Sequence, residues 1–335
     1  MPELTEALLN WYDEHKRDLP WRGNVSAYHI WISEIMLQQT RVEAVKGYYL
    51  RFVAELPGMP DLAMVDDDRL LKLWEGLGYY TRARNLKKAA QIVMRDYDGV
   101  LPSDPAVLLK LPGIGLYTAG AIASIGYGVP VPAVDGNVLR VMARLEGSFA
   151  DIALERTKKS VAARLLFCIP KNRPGAFNQA LMELGATVCL PGGEPKCGLC
   201  PWAGDCTALQ QGLVSRLPVK AAKKPRKIEE RHLLILRFEK HLALQRRPSK
   251  GLLAGLWELP EAFDLPENCV ISSENAGQAV HIFTHKEWHM TATRVRLSVK
   301  LEGFTWVTQE ELERDYALPS AFSYYKEKLF DHTPT

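Results

Sequence analysis

The chain has 335 residues, of which 47% are hydrophobic and 24% charged, with a formal net charge of +3. That composition excludes a disordered chain and leaves room for two separate cores. The small net charge permits a nucleic-acid partner without requiring one, since a basic face can sit inside a nearly neutral total. The elements follow in chain order. Leu4, Leu8 and Trp11 open an amphipathic pattern with no charged-then-apolar leader, and no stretch approaches a membrane span, so the expectation is a cytoplasmic protein with no membrane partner. Up to about residue 215 the apolar positions recur at helical spacing, as in Ile30, Trp31, Met36 and Leu37, or Val134, Val138, Val141 and Leu145. Ser103 or Asp104 before Pro105 predicts an N-cap with proline in the first turn. Past a basic run from Lys220 to Arg231, Leu233, Ile235 and Arg237 alternate with their neighbours and His289 to Lys300 reads as a second strand, with a helix expected after Pro319.

Three places carry chemistry. The string LPGIGLYTAG at 111–120 sets Gly113 and Gly115 in a tight turn before a helix, where backbone amides can approach a phosphate oxygen. Twenty residues on, Asp135 precedes Gly136, Asn137 and a helical pattern, which is also what a plain N-cap looks like. Glu34 stands between Ile32 and Ile35, where a lone carboxylate is costly unless it is paired or protonated. Cys189, Cys197, Cys200 and Cys206, with seven, two and five residues between them, suit either a structural zinc or a 4Fe-4S cluster better than disulfides in a chain without a secretion signal. The basic run serves equally as a solvated tether or as a phosphate contact.

Extended to Leu-Pro-Gly-Ile-Gly-X-Tyr-Thr-Ala, the turn resembles the DNA-binding hairpin of the helix-hairpin-helix base-excision glycosylases. RDLPWR at 17–22, WISEIMLQQTR at 31–41 and WEGLGYYTRARNL at 74–86 narrow the resemblance to the adenine DNA glycosylases of the MutY type. That resemblance implies a multi-domain chain: an all-α glycosylase domain over 1–216 with an iron-sulfur loop at 189–206, a basic linker at 217–230, and a smaller α+β Nudix-like domain over 231–335. It implies Glu34 as the general acid that protonates adenine and Asp135 as the carboxylate that stabilises an oxocarbenium-like sugar. Tyr117 and Asn137 are then expected to orient Asp135. Relatives that also cut the backbone hold a lysine at the position of Tyr117, so base removal without strand cleavage is expected.

The same resemblance places Arg17, Leu19, Trp21 and Arg22 around the extruded adenine, although Leu19 and Trp21 serve equally as core. It matches Gln39 and Tyr79 to intercalating positions, Thr40 and Leu77 to contacts near the opposite base, and Gly113 and Gly115 to the DNA backbone. It assigns a 4Fe-4S cluster to the four cysteines, whose first gap is one residue longer than the family's usual one. In the last domain GLLAGLWELP at 251–260 and FTHKEW at 283–288 carry the resemblance, and the Nudix catalytic signature is absent. Phe283, Thr284 and His285 then form the turn that inspects 8-oxoguanine, with threonine where the family has serine. The expected partner is duplex DNA with A:8-oxoguanine or A:G mispairs, bound by a monomer in a bacterial, nucleoid-associated setting. A G:T mismatch thymine glycosylase, which would lack residues 228–330, and a non-catalytic DNA-binding scaffold are the alternatives.

Overall fold

The helical first part is built from short segments whose ends are marked in the sequence. A computed structural model of the chain describes residues 2–23, 25–192, 194–221 and 225–330. Gly193 of the cysteine loop, Lys223 and Lys224 of the basic run, and residues 331–335 lie outside the described residues. The helices are α1 (Pro2–His15), α2 (Ala27–Leu37), α3 (Val42–Glu55), α4 (Met59–Met64), α5 (Asp67–Leu73), α6 (Thr81–Asp96), α7 (Pro105–Leu108), α8 (Leu116–Ala121), α9 (Gly136–Leu145), α10 (Glu155–Cys168), α11 (Pro174–Thr187) and α12 (Thr207–Gln210). A π-helical turn, Ile122–Gly126, continues α8. Asp104 caps α7 by accepting from the Ala106 amide at 2.8 Å, with Pro105 in the first turn, as its sequence position predicts.

The chain divides into two compact units, residues 1–64 with 85–222, and residues 65–84 with 223–335. In the first unit Leu8 and Tyr12 of α1 pack with Val138 and Met142 of α9 and with Phe177, Leu181 and Leu184 of α11. Helix α2 is buried nearly all round, from Tyr28 and Ile30 to Met36, as expected of a central helix.

The second unit is a mixed six-stranded sheet: β1 (Lys227–Phe238), β2 (His241–Arg246), β3 (Trp257–Glu258), β4 (Val270–Ile282), β5 (Lys286–Leu297) and β6 (Thr305–Val307). The order is β3-β2-β1-β5-β4, with β6 beside β2. β1 and β5 run parallel and the other pairs antiparallel. Leu233 and Ile235 feed one core and Leu234 and Leu236 another, so this part of β1 is covered on both faces. Helix α13 (Gln309–Asp315) starts at a capping box between Thr308 and Glu311. The helix expected after Pro319 is a 3-10 helix, Ser320–Lys328.

Two expectations on domain limits change. The linker was expected to run to residue 230, but β1 begins at Lys227, because Lys227 to Arg231 pair in parallel register with Lys286 to Met290. The segment 65–84 belongs to the second unit. Its own bonds show why: Lys72 donates to the Leu312 and Tyr316 carbonyls at 2.9 and 3.2 Å, Arg246 pairs with Asp68 at 2.6 Å, and the Leu318 amide donates to Glu75 at 2.9 Å.

Candidate active site

Because α2 is a central helix, Glu34 has nowhere to go but inward, and it is 6% exposed. The hydroxyl of Tyr117, in the first turn of α8, donates to its carboxylate. Burial pushes the Glu34 carboxyl up to about 7, the Tyr117 hydrogen bond works against that rise, and the charge of nearby Asp135 adds to it. Tyr117 itself is held well above its ordinary range, first by burial and then by the same two carboxylates.

Asp135 is the N-cap of α9. Its side chain accepts from the Val138 amide at 2.8 Å and from Asn137 Nδ2 at 2.7 Å. Burial raises its pKa above the ordinary aspartate value, and these bonds, with the charge of Arg140, only moderate that rise. Asn137 in turn accepts from Arg140 Nη2 at 2.8 Å, and Arg140 also donates to the Gly185 and Cys189 carbonyls at 2.8 Å. The capping role expected of Asp135 is present, and Asn137 is in hydrogen-bond contact with it. Tyr117 is a correction: its hydroxyl serves Glu34, with Met182 Sδ at 3.7 Å, instead of Asp135. The two carboxylates therefore face one another's fields with different hydrogen-bond partners, and burial raises both.

Arg17 and Arg22 converge on Glu183, a residue the sequence reading missed. Arg17 Nε and Nη2 donate to it at 2.7 and 2.9 Å, and Arg22 Nη2 at 2.6 Å. Burial alone would raise Glu183, but the two guanidiniums hold it at about 2. Leu19 and Trp21 are buried, and Trp21 meets Tyr49 edge-to-face at 5.4 Å. Both residues thus have a core role in this structure.

In the hairpin, Gly113 has φ +79°, and a Cβ there would sit 2.8 Å from Asn85 Cβ. Gly115 differs from Gly113 in having ordinary backbone. Its φ is −98°, it caps α8 without a side chain, and a Cβ would meet nothing within 4 Å. Gly115 therefore leaves the first amides of the helix open to an outside acceptor. Gln39 is exposed with φ +60° and Thr40 contacts the Gln38 carbonyl at 3.4 Å.

In the second unit, Tyr79 is 48% exposed with φ +48°. The two residues matched to intercalating positions thus both carry backbone that non-glycine residues rarely adopt, the kind of strain that collects at functional sites. Leu77 is buried, and its carbonyl accepts from Arg82 at 3.1 Å. The Tyr79 hydroxyl is bonded to that of Thr284 at 2.8 Å. Thr284 and His285 are the exposed tip of the β4–β5 hairpin, closed by the Phe283 amide on the Lys286 carbonyl at 2.8 Å.

The four predicted cysteines line one small pocket with Arg144, Pro195 and Trp202. Arg144 Nη1 donates to Cys189 Sγ at 3.2 Å. Burial pushes the Cys200 thiol up to about 11 and raises Cys197 as well, so thiolates here require a cation beside them. Among the described residues no three ligands gather tightly enough for a single metal ion. The donors are all soft sulfurs, a set whose chemistry fits an iron-sulfur group and equally a structural zinc. No described helix is long and apolar enough to cross a membrane.

Comparisons with known proteins meet this geometry. Residues 32–183 match the HhH-GPD superfamily of base excision DNA repair proteins, and residues 231–328 match the NUDIX domain. Among solved structures, a thermostable thymine-DNA glycosylase aligns with 29% identity and a TM-score of 0.57, over 62% of this chain and 95% of that one. The endonuclease III of a non-covalent DNA complex shares the fold at 24% identity and a TM-score of 0.54, over 63% and 97% of the two chains. The adenine DNA glycosylase of Arabidopsis thaliana is 39% identical over 84% of this chain, which spans 55% of that protein's length. Those of Mus musculus and Buchnera aphidicola (from Acyrthosiphon pisum) are each 34% identical, over 91% and 90% of this chain and 73% and 89% of their own lengths. The protein belongs to the adenine DNA glycosylase family.

Proposed function

We propose that the chain hydrolyses the N-glycosidic bond of adenine mispaired with 8-oxoguanine, and also with guanine, in duplex DNA. The observation that carries the reading is a buried carboxyl, Glu34, poised near neutral pH beside a second carboxylate, Asp135, that takes hydrogen bonds from Val138 and Asn137. Glu34 hands its proton to a ring nitrogen of the extruded adenine, so the bonding electron pair leaves with a neutral base. The positive charge that develops on the sugar lies against Asp135. Water then adds at the sugar carbon and gives its proton to the Glu34 carboxylate, which restores the acid. Tyr117 keeps Glu34 oriented, and as a phenol it forms no Schiff base, so the product is an abasic site with an intact strand.

In this reading residues 1–216 do the excision as a monomer, and residues 231–335 inspect the opposite base through Phe283, Thr284 and His285. Arg17 and Arg22, held by Glu183, with Leu19 and Trp21, border the adenine; Gln39 and Tyr79 fill the stack; Thr40 and Leu77 lie near the opposite base. Cys189, Cys197, Cys200 and Cys206 would hold a 4Fe-4S cluster that supports the fold and the DNA grip. Iron and zinc analysis of protein purified without air tests that assignment, and stoichiometric zinc without iron refutes it. The likeness to a thymine-DNA glycosylase favours G:T activity as the second reading.

Labelled duplexes with A:8-oxoguanine, A:G and T:G, treated with and without alkali, decide between them. Base loss from the adenine strand, revealed only by alkali, is expected. Thymine loss alone, strong borohydride trapping, or no base loss overturns the reading.

A further inference from the structure

Behind the hairpin tip lies a stack of side chains that the reaction does not use. The Trp288 ring has the Arg231 guanidinium over it at 4.1 Å and the Arg247 guanidinium at 5.3 Å. Phe283 meets the same ring edge-to-face at 4.8 Å, and His281 packs on Phe283 at 4.5 Å. The indole N–H donates to Glu229 at 3.1 Å, and Glu229 also accepts from Lys286, next to the tip, at 2.7 Å. Glu258 takes both arginines and Gln245, while Arg231 also meets Glu261. Arg231 is 7% exposed and Glu258 3%, and Arg231 Nη1 has no hydrogen-bond partner among the described residues.

As a source of stability this cluster is a poor choice. Well-packed apolar residues commonly do as well as buried ions, whose desolvation offsets their attraction. What the cluster supplies is orientation: Trp288 is fixed on its face by two cations, on its edge by Phe283 and at its nitrogen by Glu229. Telling 8-oxoguanine from guanine depends on a few hydrogen-bonding atoms, and such discrimination needs the reading groups held to a fraction of an ångström.

We propose that Trp288, set by Arg231 and Arg247, is the positioning residue of the Phe283-Thr284-His285 turn and fixes its preference for 8-oxoguanine without touching the base. This rests on the reading that the turn inspects the opposite base.

The test uses the full chain with Trp288→Leu, Trp288→Phe and the milder Arg247→Met. Single-turnover rates and duplex affinities are measured on A:8-oxoguanine and A:G. Trp288→Leu should lower the preference for A:8-oxoguanine roughly tenfold, the worth of one cation–aromatic and one edge-to-face contact, while the A:G rate holds. Trp288→Phe should restore most of the preference and Arg247→Met should fall between. Parallel losses on both duplexes, or an unchanged preference in folded variants, overturn the proposal; if Trp288→Leu does not fold, Arg247→Met decides. If Thr284→Ala also leaves the preference untouched, or the unaltered protein shows none, the reading of the turn itself fails and the proposal falls with it.

Discussion

Glu34→Gln should make the protein more stable and leave it inactive, with a pH signature that identifies the cause. Burial raises the carboxyl from an ordinary 4.5 to about 7. At low pH, below 4.5, native and unfolded chains both hold the proton and the residue adds no ionisation penalty. Between 4.5 and 7 the unfolded chain ionises first, so the native state loses stability as pH rises. Above 7 the loss is complete, and the shift corresponds to about 3 kcal/mol. Glutamine is neutral throughout and its carbonyl can still accept from Tyr117, so the variant escapes this penalty. Chemical denaturation at about pH 5 and about pH 8 measures it: the variant's advantage should grow from roughly 1 to about 3 kcal/mol. Adenine release should fall by at least ~10²-fold, the usual worth of a general acid. A stability difference that is the same at both pH values would refute the argument that burial sets the state of Glu34.

Asp135→Asn keeps an N-cap that can still accept from Val138, so stability should change by under about 1 kcal/mol. Single-turnover base release should nevertheless drop by ~10²-fold or more while duplex binding survives in a gel-shift assay. Undiminished turnover would remove Asp135 from the chemistry. Glu183→Gln leaves Arg17 and Arg22 without their anion and should cost about 3 kcal/mol in denaturant unfolding, the low end for a broken buried pair because Arg17 is partly exposed. Since the folded pKa of Glu183 is depressed, its contribution is complete above 4.5 and is lost as pH falls toward about 2; the variant should lack that acid dependence. Gly113→Ala should lower stability by ~1–2 kcal/mol through its left-handed backbone, with the Asn85 contact adding to it. Gly115→Ala meets no neighbour at an ordinary φ, so thermal melting should hold while duplex affinity falls.

What the sequence made legible was local. Asp104 and Pro105, and Asp135 before Gly136 and Asn137, announce helix starts because a cap acts on amides two or three residues away. Glu34 stood out because a carboxylate in an apolar helical run needs an explanation wherever the chain goes. What stayed hidden were partners far along the chain. Glu183 lies 161 residues from Arg22, and Tyr117 lies 83 from Glu34, so no periodicity or spacing could join them. The parallel partner of β1 comes nearly 60 residues later, which is why Lys227 to Glu230 looked like linker. Residues 65–84 read as more of the helical domain because their helical pattern is the same whichever core they join.

Helix α9 ties the parts of the first unit together. Its N-cap is Asp135, and five and nine residues further on its buried Arg140 and Arg144 turn toward the cysteine loop. Arg140 binds Asn137 and the Cys189 carbonyl; Arg144 binds Cys189 Sγ and the Leu190 carbonyl. Arginine suits both places because its planar fork stays charged when buried and can serve several acceptors at fixed angles. A displacement of Cys189 would therefore pull on Arg140, and through Asn137 on the carboxylate itself. Arg140→Met keeps the stem and deletes these bonds. If the linkage holds Asp135 in place, the variant should lose base-release rate on a duplex it still binds, and a loss of binding with the rate intact would show that Arg140 supports only the loop.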